Sequence, residues 1–156
     1  MKEEVTDLII VEDNFQYEEI LIRNLEEAFP NARHRTYYTE TDFRDNLERI
    51  LKTPPSAIIM DIMLPWESPK PTPHPRPPDV ERDGLTTAGF RCQKLLSERS
   101  GGAWIPIILY SAFPDIGISE RLSKLPDNVR YLSKNDIALL PGLIKMLVSS
   151  SKQVKS

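Results

Sequence analysis

The sequence predicts a doubly wound α/β domain, a five-stranded parallel sheet with helices on both faces. Three observations carry this prediction. Residues 8–11, 57–60 and 105–110 are almost continuously apolar, as strands buried on both faces are. Stretches of helical period follow the apolar runs, and the alternation recurs along 156 residues, a length that suits one domain with one core. Crossovers between parallel strands are right-handed and pack back onto the sheet, which distributes the helices over both faces.

LIIV, residues 8–11, is a strand of the buried kind that ends abruptly at Glu12, Asp13 and Asn14. From Phe15 the period changes: Tyr17, Leu21, Leu25 and Ala28 with Phe29 recur on one helix face, which Pro30 and Asn31 close. RHRTYY, residues 33–38, is a weaker strand near an edge. Phe43, Leu47, Ile50 and Leu51 mark a second helix, stopped by Pro54 and Pro55. AIIM, residues 57–60, is the third strand, and Leu85, Ala88, Gly89, Cys92, Leu95 and Leu96 define a third helix. IPIILY, residues 105–110, is a fourth strand ending at Ser111, after which Ile118, Leu122 and Leu125 stripe a fourth helix. VRYL, residues 129–132, is the fifth strand. Ile137, Leu140, Leu143, Ile144 and Leu147 belong to a last helix that tolerates Pro141 in its first turn. The domain is expected over residues 5–149, with 150–156 a polar tail.

Composition narrows the function. Forty per cent hydrophobic and 28% charged residues with a net charge of -3 argue against a nucleic-acid surface. No apolar run approaches the roughly 20 residues that span a bilayer, and the chain opens with acids, unlike a secretory signal. A cytoplasmic protein without membrane insertion is expected. Cys92 is the only cysteine and lies at helical spacing among leucines, so it reads as core. His34 and His74 have no second ligand nearby and suggest no zinc. Trp66 and Trp104 read as packing or loop anchors, with Trp66 also placed to cover the site described next.

The chemistry centres on AIIMDIMLP, residues 57–65, where Asp61 interrupts an apolar run. An isolated buried carboxylate costs several kcal/mol or more unless it neutralises, pairs or meets a metal. Ligands of open α/β sheets bind beyond the carboxyl ends of the strands, where strand order reverses. At those ends stand Glu12 and Asp13, then Asp61, Ser111, and Ser133 with Lys134. With strand order 2-1-3-4-5, the first and third strands are neighbours and the three carboxylates meet. Protonation or a divalent cation must then relieve their repulsion, and an all-oxygen site suits magnesium. Lys134 and Ser111 would flank Asp61 on its other side, a layout for phosphoryl transfer to a carboxylate nucleophile.

VEDN, MDIMLP, LYSA and YLSK occur in this order at successive strand ends. In this the chain resembles the receiver domain of two-component response regulators, over about residues 5–149, which implies a flavodoxin-like fold of order 2-1-3-4-5. Carried over by position, Asp61 resembles the phosphoacceptor, Asp13 a direct metal ligand and Glu12 a ligand acting mainly through water. Met63 would give its backbone carbonyl to the magnesium. Ser111 and Lys134 resemble the phosphate-binding hydroxyl and amine, and Tyr131 falls at the aromatic switch position. The resemblance implies that phosphorylation draws Ser111 and Lys134 inward, that Tyr131 turns into the vacated space, and that the surface of the fourth helix, fifth strand and fifth helix changes. It implies a histidine kinase or phosphotransfer protein as donor and a downstream protein partner, and leaves room for a phosphorylation-dependent dimer. It implies no chemistry beyond self-catalysed phosphate acceptance and self-hydrolysis, and it places Met63 and Phe113 at positions that tune water access, where apolar bulk is expected to make that hydrolysis slow.

Two features depart from that pattern. Asn135 follows Lys134 where the family carries a proline with a cis peptide bond, a geometry that costs about 2.5–4 kcal/mol without proline. Residues 66–83 replace a short loop, and seven of the 14 prolines lie from Pro65 to Pro78, which favours an extended polyproline path. This insertion reads as a surface excursion, or as a docking segment or lid over Asp61; PRPP, residues 75–78, fits a P-x-x-P ligand. An alternative function is a receiver-like interaction module that needs no phosphorylation. An aspartate-nucleophile phosphatase would want a second acid where Met63 stands, and a flavin phosphate would meet Glu12 and Asp13 instead of an anion cradle.

Overall fold

In the computed structural model the described residues are 4–112 and 119–155, without the side chains of 152–155. Five parallel strands, β1 (Asp7–Val11), β2 (Arg33–Tyr37), β3 (Ala57–Asp61), β4 (Ile107–Ser111) and β5 (Val129–Ser133), form one sheet in the order β2-β1-β3-β4-β5. This is the expected doubly wound, flavodoxin-like arrangement. β1 pairs on one side with β2, Ile9 opposite Arg35, and on the other with β3, Ile9 opposite Ile58.

Successive side chains of a strand point to opposite faces, so each buried strand feeds two cores. On one face Ile9, Ile58, Met60 and Leu109 meet Phe43, Ile50, Cys92 and Leu96, which lie on α2 (Glu40–Asp45), α3 (Leu47–Lys52) and α5 (Ala88–Ser97). On the other, Leu8, Ile10, Ile59 and Ile108 meet Leu21 and Leu25 of α1 (Phe15–Ala28) and Ile144 and Leu147 of α7 (Leu140–Lys155). Each such side chain contributes roughly 1.5–3 kcal/mol when fully buried. Burial pushes the Cys92 thiol up, so it is core as expected and not a nucleophile. No helix of the described residues is long and apolar enough to cross a membrane.

Four elements differ from expectation. The second helix is broken at Asn46, whose side-chain amide donates to the Asp42 carbonyl at 2.7 Å; this local bond competes with the helical ladder and separates α2 from α3. The insertion is not extended throughout, since α4 (Pro78–Asp83) forms inside it with proline at its start and Gly84 just past its end. Gly84 has φ +73°, a left-handed conformation that favours glycine. α6 (Ser119–Leu122) is short and leaves Leu125 beyond it, while Ile118 and Phe113 lie outside the described residues. α7 runs on through the expected tail to Lys155, held by buried Val148 and by Ser151 Oγ, which donates to the Trp104 carbonyl at 2.8 Å. Ile137 precedes it in a 3-10 turn, and Pro141 is the second residue of α7, where proline is tolerated.

Candidate active site

The order reversal sets the ends of β1 and β3 side by side, and their carboxylates converge. Glu12, Asp13 and Asp61 offer oxygens that all lie within 4.8 Å of one another. Glu12 is 0% exposed and Asp61 5%, whereas Asp13 faces solvent. Both Glu12 oxygens are engaged: Oε1 accepts from the Asn14 N–H at 2.9 Å, and Oε2 accepts from the Tyr110 hydroxyl. Asn14 in turn caps α1, its Oδ1 accepting from the N–H groups of Gln16 and Tyr17 at 2.9 and 3.1 Å. One turn therefore starts the helix and orients the carboxylate.

Lys134, the first residue after β5, closes the crater. Its Nζ lies 2.9 Å from Asp61 Oδ2 and 2.9 Å from Glu12 Oε2, and 3.9 Å from the centroid of the Tyr17 ring. No cis peptide bond occurs among the described residues, so Lys134 reaches this position with a trans bond to Asn135. A 3-10 turn from Lys134 to Leu139 follows, with the Asn135 N–H donating to Ser133 Oγ at 3.3 Å.

Burial, and then the charge of Glu12, push Asp61 up to about 7, although Lys134 and the Met63 N–H pull it down. Burial and Glu12 raise Asp13 in the same way. Burial works against the Lys134 charge, but Asp61 and Glu12 outweigh it and its pKa is raised. With every group ionised, three carboxylates face one ammonium and two negative charges are left over. Clustered hard oxygen donors with that excess fit a small divalent cation such as magnesium.

The other predicted residues join the same cleft, of about 320 Å³, which Met63, Ser111 and Lys134 line with the three acids. The Met63 N–H donates to Asp61 Oδ1 at 3.0 Å, and its side chain is exposed. The Tyr131 hydroxyl lies 2.9 Å from Ser111 Oγ. The ring packs against the core beside β4.

Sequence reasoning missed Tyr110, Asn14 and Tyr17 around the crater, and Gly89 beneath it. A Cβ on Gly89 would lie 2.7 Å from the Asp61 carbonyl oxygen and 2.7 Å from Ile62 Cα, so α5 approaches the end of β3 closely only because residue 89 has no side chain. It also missed a buried ion network behind the crater. Glu40, wholly buried, accepts from Arg91 Nη2 at 2.6 Å, from Arg91 Nε at 3.1 Å and from Arg44 Nη2 at 2.8 Å. Only the Glu40–Arg44 spacing of one helical turn hinted at it.

The doubly wound parallel sheet is shared with known structures. No protein-family model matches the chain, and no curated protein does. Solved structures do. A putative response regulator from Chloroflexus aurantiacus is 19% identical, covering 94% of this chain and 99% of its own, with a TM-score of 0.63. The receiver domain of a sensor histidine kinase from Pseudomonas aeruginosa, with magnesium coordinated in its active-site cleft, is 18% identical at a TM-score of 0.66, covering 92% of this chain and 98% of its own. A phosphorylated cyanobacterial phytochrome response regulator, RcpA, is 15% identical at 0.63, covering 91% and 90%. The chain has the receiver fold of response regulators.

Proposed function

We propose that this chain is a phosphorylation-controlled switch of two-component signalling that accepts a phosphoryl group on Asp61. The observation that supports this reading most is the position of Lys134, 2.9 Å from both Asp61 and Glu12, beside Asp13 and within one cleft with Ser111. Structural neighbours described as magnesium-bound and as phosphorylated add to it.

In this reading an Asp61 oxygen attacks the phosphorus of a phosphohistidine on a kinase or phosphotransfer protein. The P–N bond breaks, and the departing imidazole keeps the electron pair and takes a proton from solvent. Lys134 meets the negative charge on the transferred group, and Met63 N–H holds the other Asp61 oxygen in place. Glu12, Asp13, Asp61 and the Met63 carbonyl would hold magnesium, which when bound neutralises charge on the phosphoryl oxygens. Ser111 would donate its hydroxyl to the phosphate, which ends any bond that it donates to Tyr131 and leaves it accepting only. That exchange links the crater to β5 and to the surface shared with α6 and α7, where a partner protein supplies the differential affinity a switch requires.

Magnesium with a small phosphodonor tests the proposal by intact mass. Wild type is expected to gain one phosphoryl group and Asp61→Asn none. A wild type that gains nothing supports the second reading, an interaction module independent of phosphate. That reading is favoured by one observation: Lys134 Nζ already lies 2.9 Å from both Asp61 and Glu12, which ties the acceptor carboxylate to an ion pair inside the fold.

A further inference from the structure

The proline-rich insertion leaves the crater after Pro65 and returns to it at Leu85. Residues 68–76 are exposed, yet both ends are pinned. At the outgoing end the Pro65 and Trp66 carbonyls accept from the N–H groups of Glu40 and Thr41 at 2.9 and 2.8 Å. Trp66 is buried with the Arg44 guanidinium 5.3 Å from its ring centroid. At the returning end Val80 is buried, and Asp79 Oδ2 accepts from Arg44 Nη2 at 3.1 Å. Arg91, while gripping Glu40, donates to the Gly84 carbonyl at 2.7 Å and to Thr87 Oγ1 at 3.1 Å.

Two arginines and two carboxylates thus join α2, α4 and α5 through one connected network. Buried ion pairs add little net stability compared with apolar packing, so stability alone does not account for it. What it does determine is where the insertion sits. The Leu64 N–H donates to the Leu85 carbonyl at 3.3 Å, and Leu64, Pro65 and Leu85 line the same cleft as Asp61 and Lys134. The inserted segment therefore begins and ends as a wall of the crater.

We propose that the Arg44–Asp79 pair, backed by Glu40 and Arg91, is a latch that holds this wall closed and prolongs the life of a phosphate on Asp61. Asp79 and Arg44 are positioning residues: they touch neither the phosphate nor its donor and act through Leu85. The proposal rests on the phosphoacceptor reading above. With the latch closed, the apolar wall limits the approach of the water that would hydrolyse the acyl phosphate. With it open, Leu85 moves away and water enters.

The test compares loss of phosphate from purified phosphorylated wild type, Asp79→Asn, Asp79→Glu, Leu85→Ala and the double variant Asp79→Asn/Leu85→Ala at one magnesium concentration. Asp79 is partly exposed, so its substitution leaves the core untouched. Asp79→Asn is expected to lose phosphate roughly two- to fivefold faster, the factor that a partly exposed ion pair supports. Asp79→Glu is expected to restore the wild-type rate, and Asp79→Asn to add nothing once Leu85 is alanine. A wild-type rate in Asp79→Asn, or a full further acceleration in the Leu85→Ala background, overturns the latch. Amide exchange at Leu64 reads the same latch in unphosphorylated protein: faster exchange in Asp79→Asn supports it, and unchanged exchange overturns it. Wild type that takes up no phosphate removes the phosphoacceptor reading instead, whatever the exchange shows.

Discussion

The hydroxyl oxygens of Ser111 and Tyr131 lie 2.9 Å apart, joining the ends of the paired strands β4 and β5. A Ser111 hydroxyl that donates to Tyr131 is unavailable to a phosphate on Asp61, and the two then compete for its one proton. A hydrogen bond of this type is worth roughly 0.5–1.5 kcal/mol.

Tyr131→Phe removes the competitor and keeps the ring. It is expected to raise the steady-state fraction of phosphorylated protein, by roughly two- to tenfold in the phosphorylated-to-free ratio. Mass spectrometry at a subsaturating phosphodonor concentration measures this, and a lower ratio would show that the tyrosine hydroxyl assists the phosphorylated state.

Stability should depend on pH through Asp61. Folding raises its pKa from 3.8 to about 7, so it favours the folded state while protonated. That contribution is complete below the unfolded value and is lost as pH rises through about 7, because the native state binds the proton more tightly than the unfolded chain. In chelator, wild type is expected to lose stability relative to Asp61→Asn between about pH 4 and 8, by an amount on the order of a few kcal/mol. Magnesium should reverse the loss at the upper end. Denaturant titrations measure the difference, and parallel curves for the two proteins would contradict it.

Lys134→Met removes the ammonium that faces both Glu12 and Asp61 and leaves two buried carboxylates opposed. The metal-free domain should lose about 3–5 kcal/mol at neutral pH, the cost of breaking a buried pair from one side. Magnesium affinity should rise, because the crater carries one more uncompensated charge, while phosphate acceptance falls. Calorimetric titration with magnesium checks the sign; weaker binding would mean that Lys134 positions the acids more than it neutralises them.

Gly89→Ala puts a methyl group against the backbone of Asp61 and Ile62, where neither neighbour is a flexible side chain that can yield. α5 must move off β3, at a cost of roughly 1–3 kcal/mol. Phosphate acceptance should slow as Asp61 shifts. Gly142→Ala in α7 is the control, since nothing lies within 4 Å of its added Cβ; it should be neutral or slightly stabilising. Equal melting temperatures for the two variants would remove the argument.

The strand ends were legible because of a contrast that one-dimensional reading detects. Side chains of β1, β3 and β4 are buried on both faces, so polar groups within or beside such runs stand out, and Glu12, Asp13, Asp61 and Ser111 all lie there. The insertion was legible as an interruption but not as a structure. Proline density argued for an extended path, while Pro78 at a helix start and Gly84 after its end carried a quieter signal for α4. The broken second helix was hidden because Asn46 acts through its own side-chain bond to Asp42, which apolar periodicity does not register.

By itself the sequence determined the five-stranded doubly wound sheet and which polar side chains stand at its carboxyl edge, since both follow from the period and interruption of apolar runs. Tertiary structure decided that Tyr131 rests against Ser111, that a trans Lys134 spans two carboxylates, and that Glu40 pairs with Arg91, 51 residues away. Those outcomes depend on distances and burial between segments far apart in the chain. Only the folded sheet, through its register and the close approach of α5 at Gly89, brings such charges near enough for desolvation and pairing to choose their partners.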